Sequence, residues 1–211
     1  MRIDVVTIFP ELFEPFFESG LLGKSIREGK IEVQAHDLRT FTRDKHRQVD
    51  DYPFGGGRGM ILMIEPLYRA WETLKQDNTF TILMSAGGKL LTKTRAARFS
   101  RHDHLLIFCG RYEGVDQRFL DCVDAEVSIG KYVLFGGEIP AMTLIESAAR
   151  FIPEILDPEV TANETYSKGS QRDFPQFTRP REFGGISVPS VLLSGNHAKI
   201  DKWREENSER I

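Results

Sequence analysis

The sequence predicts an α/β protein on a mainly parallel sheet, followed by a small helical region. Three observations carry this. Short runs rich in Val, Ile and Leu alternate with segments whose apolar residues recur at helical spacing, the order of strand–helix–strand units. Several of those runs end in glycine turns: residues 105–109 at Gly110, 127–129 at Gly130, and 79–84 at Ser85-Ala86-Gly87-Gly88. After Pro153 the texture changes to a polar stretch with scattered Pro and Gly, and a helical segment closes the chain.

Residues 2–9 read as the first strand. Leu12, Phe13, Phe16 and Phe17 follow at helical spacing, and Pro15 fits if it stands in the first turn, where its missing N–H has no partner to lose. Leu22 and Ile26 mark a second short helix stopped by Gly29, and Ile31 and Val33 alternate with Glu32 and Gln34 as a half-exposed strand. Residues 37–64 show little periodicity; a segment of that length inside a compact domain is often functional, and its glycines suggest a lid. Pro66 is expected at the first position of a helix that buries Leu67, Ala70, Trp71 and Leu74.

A strand at 79–84 precedes a helix capped by Thr92, and the buried run at 105–109 follows. Gly136-Gly137 opens a helix over 138–152, with Pro140 in its first turn, Ile139, Met142, Ile145 and Ala149 on one apolar face, and Leu144, Ala148 and Phe151 elsewhere, so that it reads as largely buried. Residues 157–183 read as a linker, and a helix of about four turns begins near Ser194 with Asn196 as its cap.

The chain of 211 residues is 40% apolar and 28% charged, with net charge −3, so no global basic field announces a partner. Its basic groups are nonetheless clustered. Lys89, Lys93, Arg95, Arg98 and Arg101 occur without an acid, and Lys168, Arg172, Arg179 and Arg181 are accompanied by Asp173 alone. The first cluster has the spacing of a solvated helix face; the second has no period to explain it and suits phosphates. Cys109 and Cys122 lie in apolar segments without metal-ligand spacing and read as buried thiols of a reducing cytosol. No apolar run is long enough to span a membrane, and the N-terminal run is too short and too quickly followed by acids to read as a signal peptide, so a cytoplasmic location is expected.

Residues 109–140 organise the rest. Glycines 110, 114, 130, 136 and 137 each border an apolar run, and together they suggest a pocket where backbone groups meet a ligand. There is no GxSxG elbow, HExxH, GxGxxG or metal-ligand cluster, and the glycines at 55–59 lack the Lys of a phosphate loop.

The segments VDDYPFGGGRGM (49–60), CGRYEGVDQR (109–118), SIGKYVLFGGEIPAMTLIE (128–146), RFIP (150–153) and PSVLLSGNHAKI (189–200) resemble, in order, the bacterial tRNA (guanine-37 N1)-methyltransferases of the SPOUT superfamily. The resemblance implies an S-adenosylmethionine-binding α/β domain with a C-terminal trefoil knot, against the general rule for chain threading. It also implies a homodimer and a tRNA substrate. The domains would be 1–157, the methyltransferase; 158–183, a linker; and 184–211, a small, shortened helical tRNA-binding domain.

Matched motif by motif, the resemblance assigns the cofactor to Met84, Ser85 and Ala86, to Gly110, Tyr112, Glu113 and Gly114, and to Ser128, Ile129, Gly130, Tyr132, Leu134, Gly136, Gly137 and Pro140. Ala86 stands where the family commonly has Pro. The lid with Asp50, Gly55, Gly56, Gly57 and Gly59 would hold the target guanine, and Lys168, Arg172, Arg179 and Arg181 would meet tRNA phosphates.

The family is associated with Mg²⁺, for which Glu113 is the position of interest. Arg150 falls at the family's catalytic arginine. The family's Asp base lies in a Glu-Asp-Ser-Phe linker, whereas this chain reads Asn163-Glu164-Thr165-Tyr166, one residue short. Aligned on Gly169, Glu164 takes the base position; aligned from the left, Thr165 does and no base remains. The altered linker keeps a second class in view, a knotted RNA-binding protein without methyl transfer. A Rossmann-like nucleotide enzyme is a third, though its fingerprint is missing.

Overall fold

The computed structural model describes residues 1–162, 164–167 and 173–208, and the chain divides into two compact units, 1–156 and 157–211. In the first unit, β1 (Arg2–Thr7) passes through a 3₁₀ turn at Pro10–Leu12 into α1 (Glu14–Glu18), with Pro15 in its first turn as expected. Next come α2 (Gly20–Arg27) and the half-exposed β2 (Glu32–Asp37). The aperiodic stretch contains two short strands, β3 (Asp50–Asp51) and β4 (Ile61–Leu62), paired antiparallel as the stem of the glycine loop.

Helix α3 (Ile64–Leu74) starts two residues earlier than expected, with Pro66 still inside the first turn. β5 (Thr79–Leu90) is followed by α4 (Lys93–Phe99), whose Thr92 hydroxyl accepts the Arg95 amide as a cap. β6 (His104–Cys109), β7 (Ala125–Ser128) and α5 (Glu138–Ala149) complete the unit.

Five strands form one parallel sheet in the order β2-β1-β6-β5-β7. Adjacent residues along a strand point to opposite faces, so each central strand supplies two cores. Val5, Ile82, Leu105 and Ile107 pack with Phe13, Leu144, Ile145 and Ala148, while Val6, Leu83, Leu106 and Phe108 pack with Leu38, Leu67, Ala70 and Phe119. Each such fully buried large side chain contributes about 1.5–3 kcal/mol. Coverage on both faces is why the central strands read as unbroken apolar runs.

Two features of the sheet depart from the sequence reading. β5 does not stop at its glycines: it pairs β7 through Met84, loops out over 85–88, and resumes pairing at Lys89. Helix α5 ends at Ala149 rather than at 152, and Ile139 is 57% exposed. Its buried side is Ala141, Leu144, Ile145, Ala148 and Ala149, together with the carboxylate of Glu138. Ile145, Ala149, Leu144 and Ala148 are buried as the sequence reading has them, while Ile139 turns outward. Cys109 is buried, Cys122 is half-buried, and both are free thiols.

At the N-terminal end of the sheet, Asp4 is fully buried. Its carboxylate accepts hydrogen bonds from Arg2 Nε at 2.7 Å, His36 Nε2 at 2.7 Å and His104 Nε2 at 2.9 Å. Thr79 Oγ1, which accepts the Gln76 backbone amide at 2.6 Å, lies 2.7 Å from His104 Nδ1 and fixes the ring from its other side. Burial pushes the Asp4 carboxyl upward, but the bonds from His36, Arg2 and His104 outweigh it and hold the pKa well below the usual carboxylate range.

A depressed carboxylate stabilises the fold above the unfolded pKa, about 4, and this contribution is lost as the pH falls further. Asp4→Asn should cost about 3 kcal/mol at pH 7 in urea unfolding, with the gap to the parent narrowing toward pH 3. A constant gap across that range would remove the charge from the account.

The second unit holds α6 (Pro158–Ala162), a hairpin of β8 (Glu182–Phe183) and β9 (Ile186–Ser187), and α7 (His197–Glu206). The final helix has ten residues, shorter than the expected four turns, and the Asn196 side chain caps it by accepting the Lys199 amide. Trp203 lies 6.3 Å from the Phe177 ring.

Candidate active site

The register of the sheet brings three strand ends together. Met84 of β5 stands beside Cys109 of β6 on one side and Val127 of β7 on the other. The turns leaving these strands therefore converge at the C-terminal edge of a parallel sheet, where ligands of such folds bind. They enclose a cavity of about 410 Å³, within the size range of small-molecule sites.

Every position assigned to the cofactor on motif grounds lines this cavity. Met84, Ser85 and Ala86 come from the end of β5 and its bulge. Gly110, Tyr112, Glu113 and Gly114 come from the turn after β6. Ser128, Ile129, Gly130, Tyr132, Leu134, Gly136, Gly137 and Pro140 run from the end of β7 into α5. Tyr112 has φ +58°, a left-handed conformation unusual outside glycine, and its ring is half exposed at the cavity. The Ser128 hydroxyl donates to the Gly130 carbonyl at 2.9 Å and closes the turn after β7.

Two glycine turns are clamped to each other. The Gly137 amide donates to the Gly110 carbonyl at 2.8 Å, and Arg111 bridges Gly136. A Cβ on Gly137 would lie 2.7 Å from the Cys109 Cα and 2.8 Å from the Gly110 amide, so only glycine allows this approach. Glu138, 2% exposed, fixes the clamp: it accepts the Thr7 hydroxyl at 2.8 Å and Arg111 Nε at 3.2 Å. The Arg111 guanidinium lies 4.6 Å from the Phe9 ring centroid. Burial first, then the Glu138 charge, raises the Cys109 thiol well above the usual range against an opposing pull from Arg111, which makes Cys109 a poor nucleophile.

The glycine loop 52–60 is stitched to the same turn. The Glu113 amide donates to the Met60 carbonyl and the Leu62 amide to the Gly114 carbonyl, both at 3.0 Å. Asp50 pairs with Leu62 in the stem, Gly59 packs against the Glu113 side chain, and the tip with Gly55, Gly56 and Gly57 is exposed. Among the described residues, no group of three His, Cys, Asp or Glu side chains is placed to hold a metal ion.

Arg150 is the half-buried C-terminal cap of α5 in unit 1–156. Glu164 lies half-buried in unit 157–211, its carbonyl accepting the Ser167 amide. Arg179 and Arg181 are exposed in that second unit, while Lys168 and Arg172 lie outside the described residues. Motif matching passed over Glu138, Arg111 and Thr7. The available signal was an acid and a base set within otherwise apolar and glycine-rich words, since a charge there needs a partner.

The family model described as "tRNA (Guanine-1)-methyltransferase TrmD" matches residues 1–211. Over 209 residues the chain is 46% identical to the tRNA (guanine-N(1)-)-methyltransferase of Dictyoglomus turgidum, covering 99% of this chain and 85% of that protein. It is 47% identical over 208 residues to the protein of the same name from Thermosipho melanesiensis, covering 98% and 84%. The one from Clostridioides difficile is 42% identical over 216 residues, covering 100% and 94%.

Proposed function

We propose a function from one premise: the chain belongs to the tRNA (guanine-1)-methyltransferase family. It is a methyltransferase acting on N1 of guanine in tRNA, and we assign its target as guanine 37, beside the anticodon, and its methyl donor as S-adenosylmethionine. The observation that carries this is the cavity at the ends of β5, β6 and β7, lined by its glycine turns and by every position assigned to the cofactor.

The cavity suits that donor chemically. It is lined by glycine turns, by Tyr112 and Tyr132, and by Glu113 and Glu126, whose carboxylates suit a cation. Bound there, S-adenosylmethionine would supply a methyl group made electrophilic by positively charged sulfur. For Mg²⁺, Glu113 is the residue at issue, though among the described residues the chain forms no cage of three ligands by itself.

The chain's own part is to make N1 reactive. Glu164 takes the N1 proton, and Arg150 stabilises the negative charge that gathers on O6. The lid with Asp50 and Gly55 to Gly59 holds the guanine. In the same proposal the active protein is a cytoplasmic homodimer with a trefoil knot, residues 158–183 link its domains, and 184–211 binds tRNA. Val133 (84% exposed) and Phe135 (94% exposed), on the cavity's lining, are apolar surface that a second copy could cover.

Unmodified tRNA transcript incubated with methyl-labelled donor should gain a methyl group at guanine 37. N1-methylation removes a Watson–Crick donor, so reverse transcription should stop there, and a transcript with adenine at that place should stay unlabelled. Tight tRNA and donor binding with no label in either would select the RNA-binding reading instead.

Neutralising Lys168, Arg172, Arg179 and Arg181 together should shallow the slope of log affinity against log salt by up to about one unit for each phosphate that is no longer neutralised. An unchanged slope would place the RNA elsewhere.

A further inference from the structure

Among the described residues lining the cavity, Arg111 is the one basic side chain, set among Glu113, Glu126 and neutral groups. Its position is over-determined. Nε faces both oxygens of Glu138, at 3.2 and 3.4 Å, and the guanidinium plane lies against the Phe9 ring at 4.6 Å. Glu138 is in turn held by the Thr7 hydroxyl, whose oxygen accepts the Phe9 amide at 3.0 Å. Hydrogen bonds to described residues account for Nε alone. The two terminal nitrogens carry four further N–H donors, and the side chain remains 22% exposed.

A guanidinium held through Nε, on a residue that lines the cavity, has its two terminal nitrogens with which to bind a planar anion through parallel bonds. We propose that Arg111 recognises the carboxylate of the methyl donor's amino-acid portion, and that Glu138 is the positioning residue that aims it. This rests on the function proposed above and adds a group-specific contact to a pocket otherwise described by its backbone.

The competing account makes the Arg111–Glu138 pair a clamp between two turns and nothing more. Calorimetry with three ligands separates them: S-adenosylmethionine; its decarboxylated form, which keeps the sulfonium and amine; and 5′-methylthioadenosine, which lacks the whole amino-acid chain. The unaltered protein should prefer S-adenosylmethionine over the decarboxylated form by about 10- to 100-fold, the range of a charge-assisted contact. Arg111→Met should bring that preference to within about 3-fold while methylthioadenosine binds as before. Arg111→Lys should keep an intermediate preference, since it retains the charge and loses the fork. Glu138→Gln should also fall between, and if it fails to fold, the two Arg111 variants carry the test.

A parental preference retained in Arg111→Met would overturn the inference, as would equal weakening of all three ligands, the mark of a clamp. An unaltered protein that binds S-adenosylmethionine without preferring its carboxylate would overturn it too and leave the proposed function standing. One that binds none of the three would remove the proposed function itself.

Discussion

Changing Glu164 to glutamine should slow methyl transfer by about 10²–10⁴-fold while the donor and tRNA bind as they did before. The N1 of guanine carries a proton, and its electrons are drawn into the ring, so it is a weak nucleophile until that proton leaves. A carboxylate within hydrogen-bond reach can accept the proton as the new bond forms; an amide of the same shape can only hydrogen-bond to it. Negative charge then builds on O6, and a guanidinium aimed there favours the transition state over the ground state. Arg150→Met should therefore lower turnover more than affinity.

Glu164→Asp tests reach, because the linker is one residue short of the family pattern and glutamate is one methylene longer than aspartate. Single-turnover rates beside equilibrium affinities give the comparison. Full activity in Glu164→Gln would leave Asp173, whose amide donates to the Thr165 hydroxyl at 3.3 Å in the same unit, or a base from a second subunit, to be tried next.

Donor binding should be abolished by Gly137→Val, and here the structure changes what that variant means. Judged only by its place in a glycine turn of the cavity, the substitution would be a pocket lesion in an intact fold. The added side chain would instead run into the Cys109 and Gly110 backbone, forcing apart the turns after β6 and before α5. Overpacking of this kind costs about 1–3 kcal/mol, so the loss of binding should come with a lower urea midpoint. Gly114 gives the cleaner lesion: a Cβ there meets nothing within 4 Å, and the obstacle is its φ of +112°. Gly114→Val should lose donor affinity through a distorted turn with little overpacking. Parental donor affinity in both variants would show that the cavity is not the donor's.

Much of the local structure was legible in the residues themselves. Pro15 opens a helix, Gly29 with φ +70° follows the end of another, and Thr92 and Asn196 cap by accepting amides three residues ahead. These are short-range effects, written in spacing and side-chain chemistry. The motif words were also enough to name the lining of the cavity, because each turn is contiguous in the chain.

What spacing could not contain was which turns meet. The strand order β2-β1-β6-β5-β7 sets Met84 between Cys109 and Val127, although the chain reaches Met84 before either of them. The same holds for the buried charges: Thr7 reaches Glu138 across 131 positions, and His104 reaches Asp4 across 100. A helix or cap is decided by groups a few bonds apart, so the sequence alone determined those. A site is decided by which strands pair and how helices cover them, and those long-range choices put Glu138 underneath the cavity and left Ile139, one residue on, facing water.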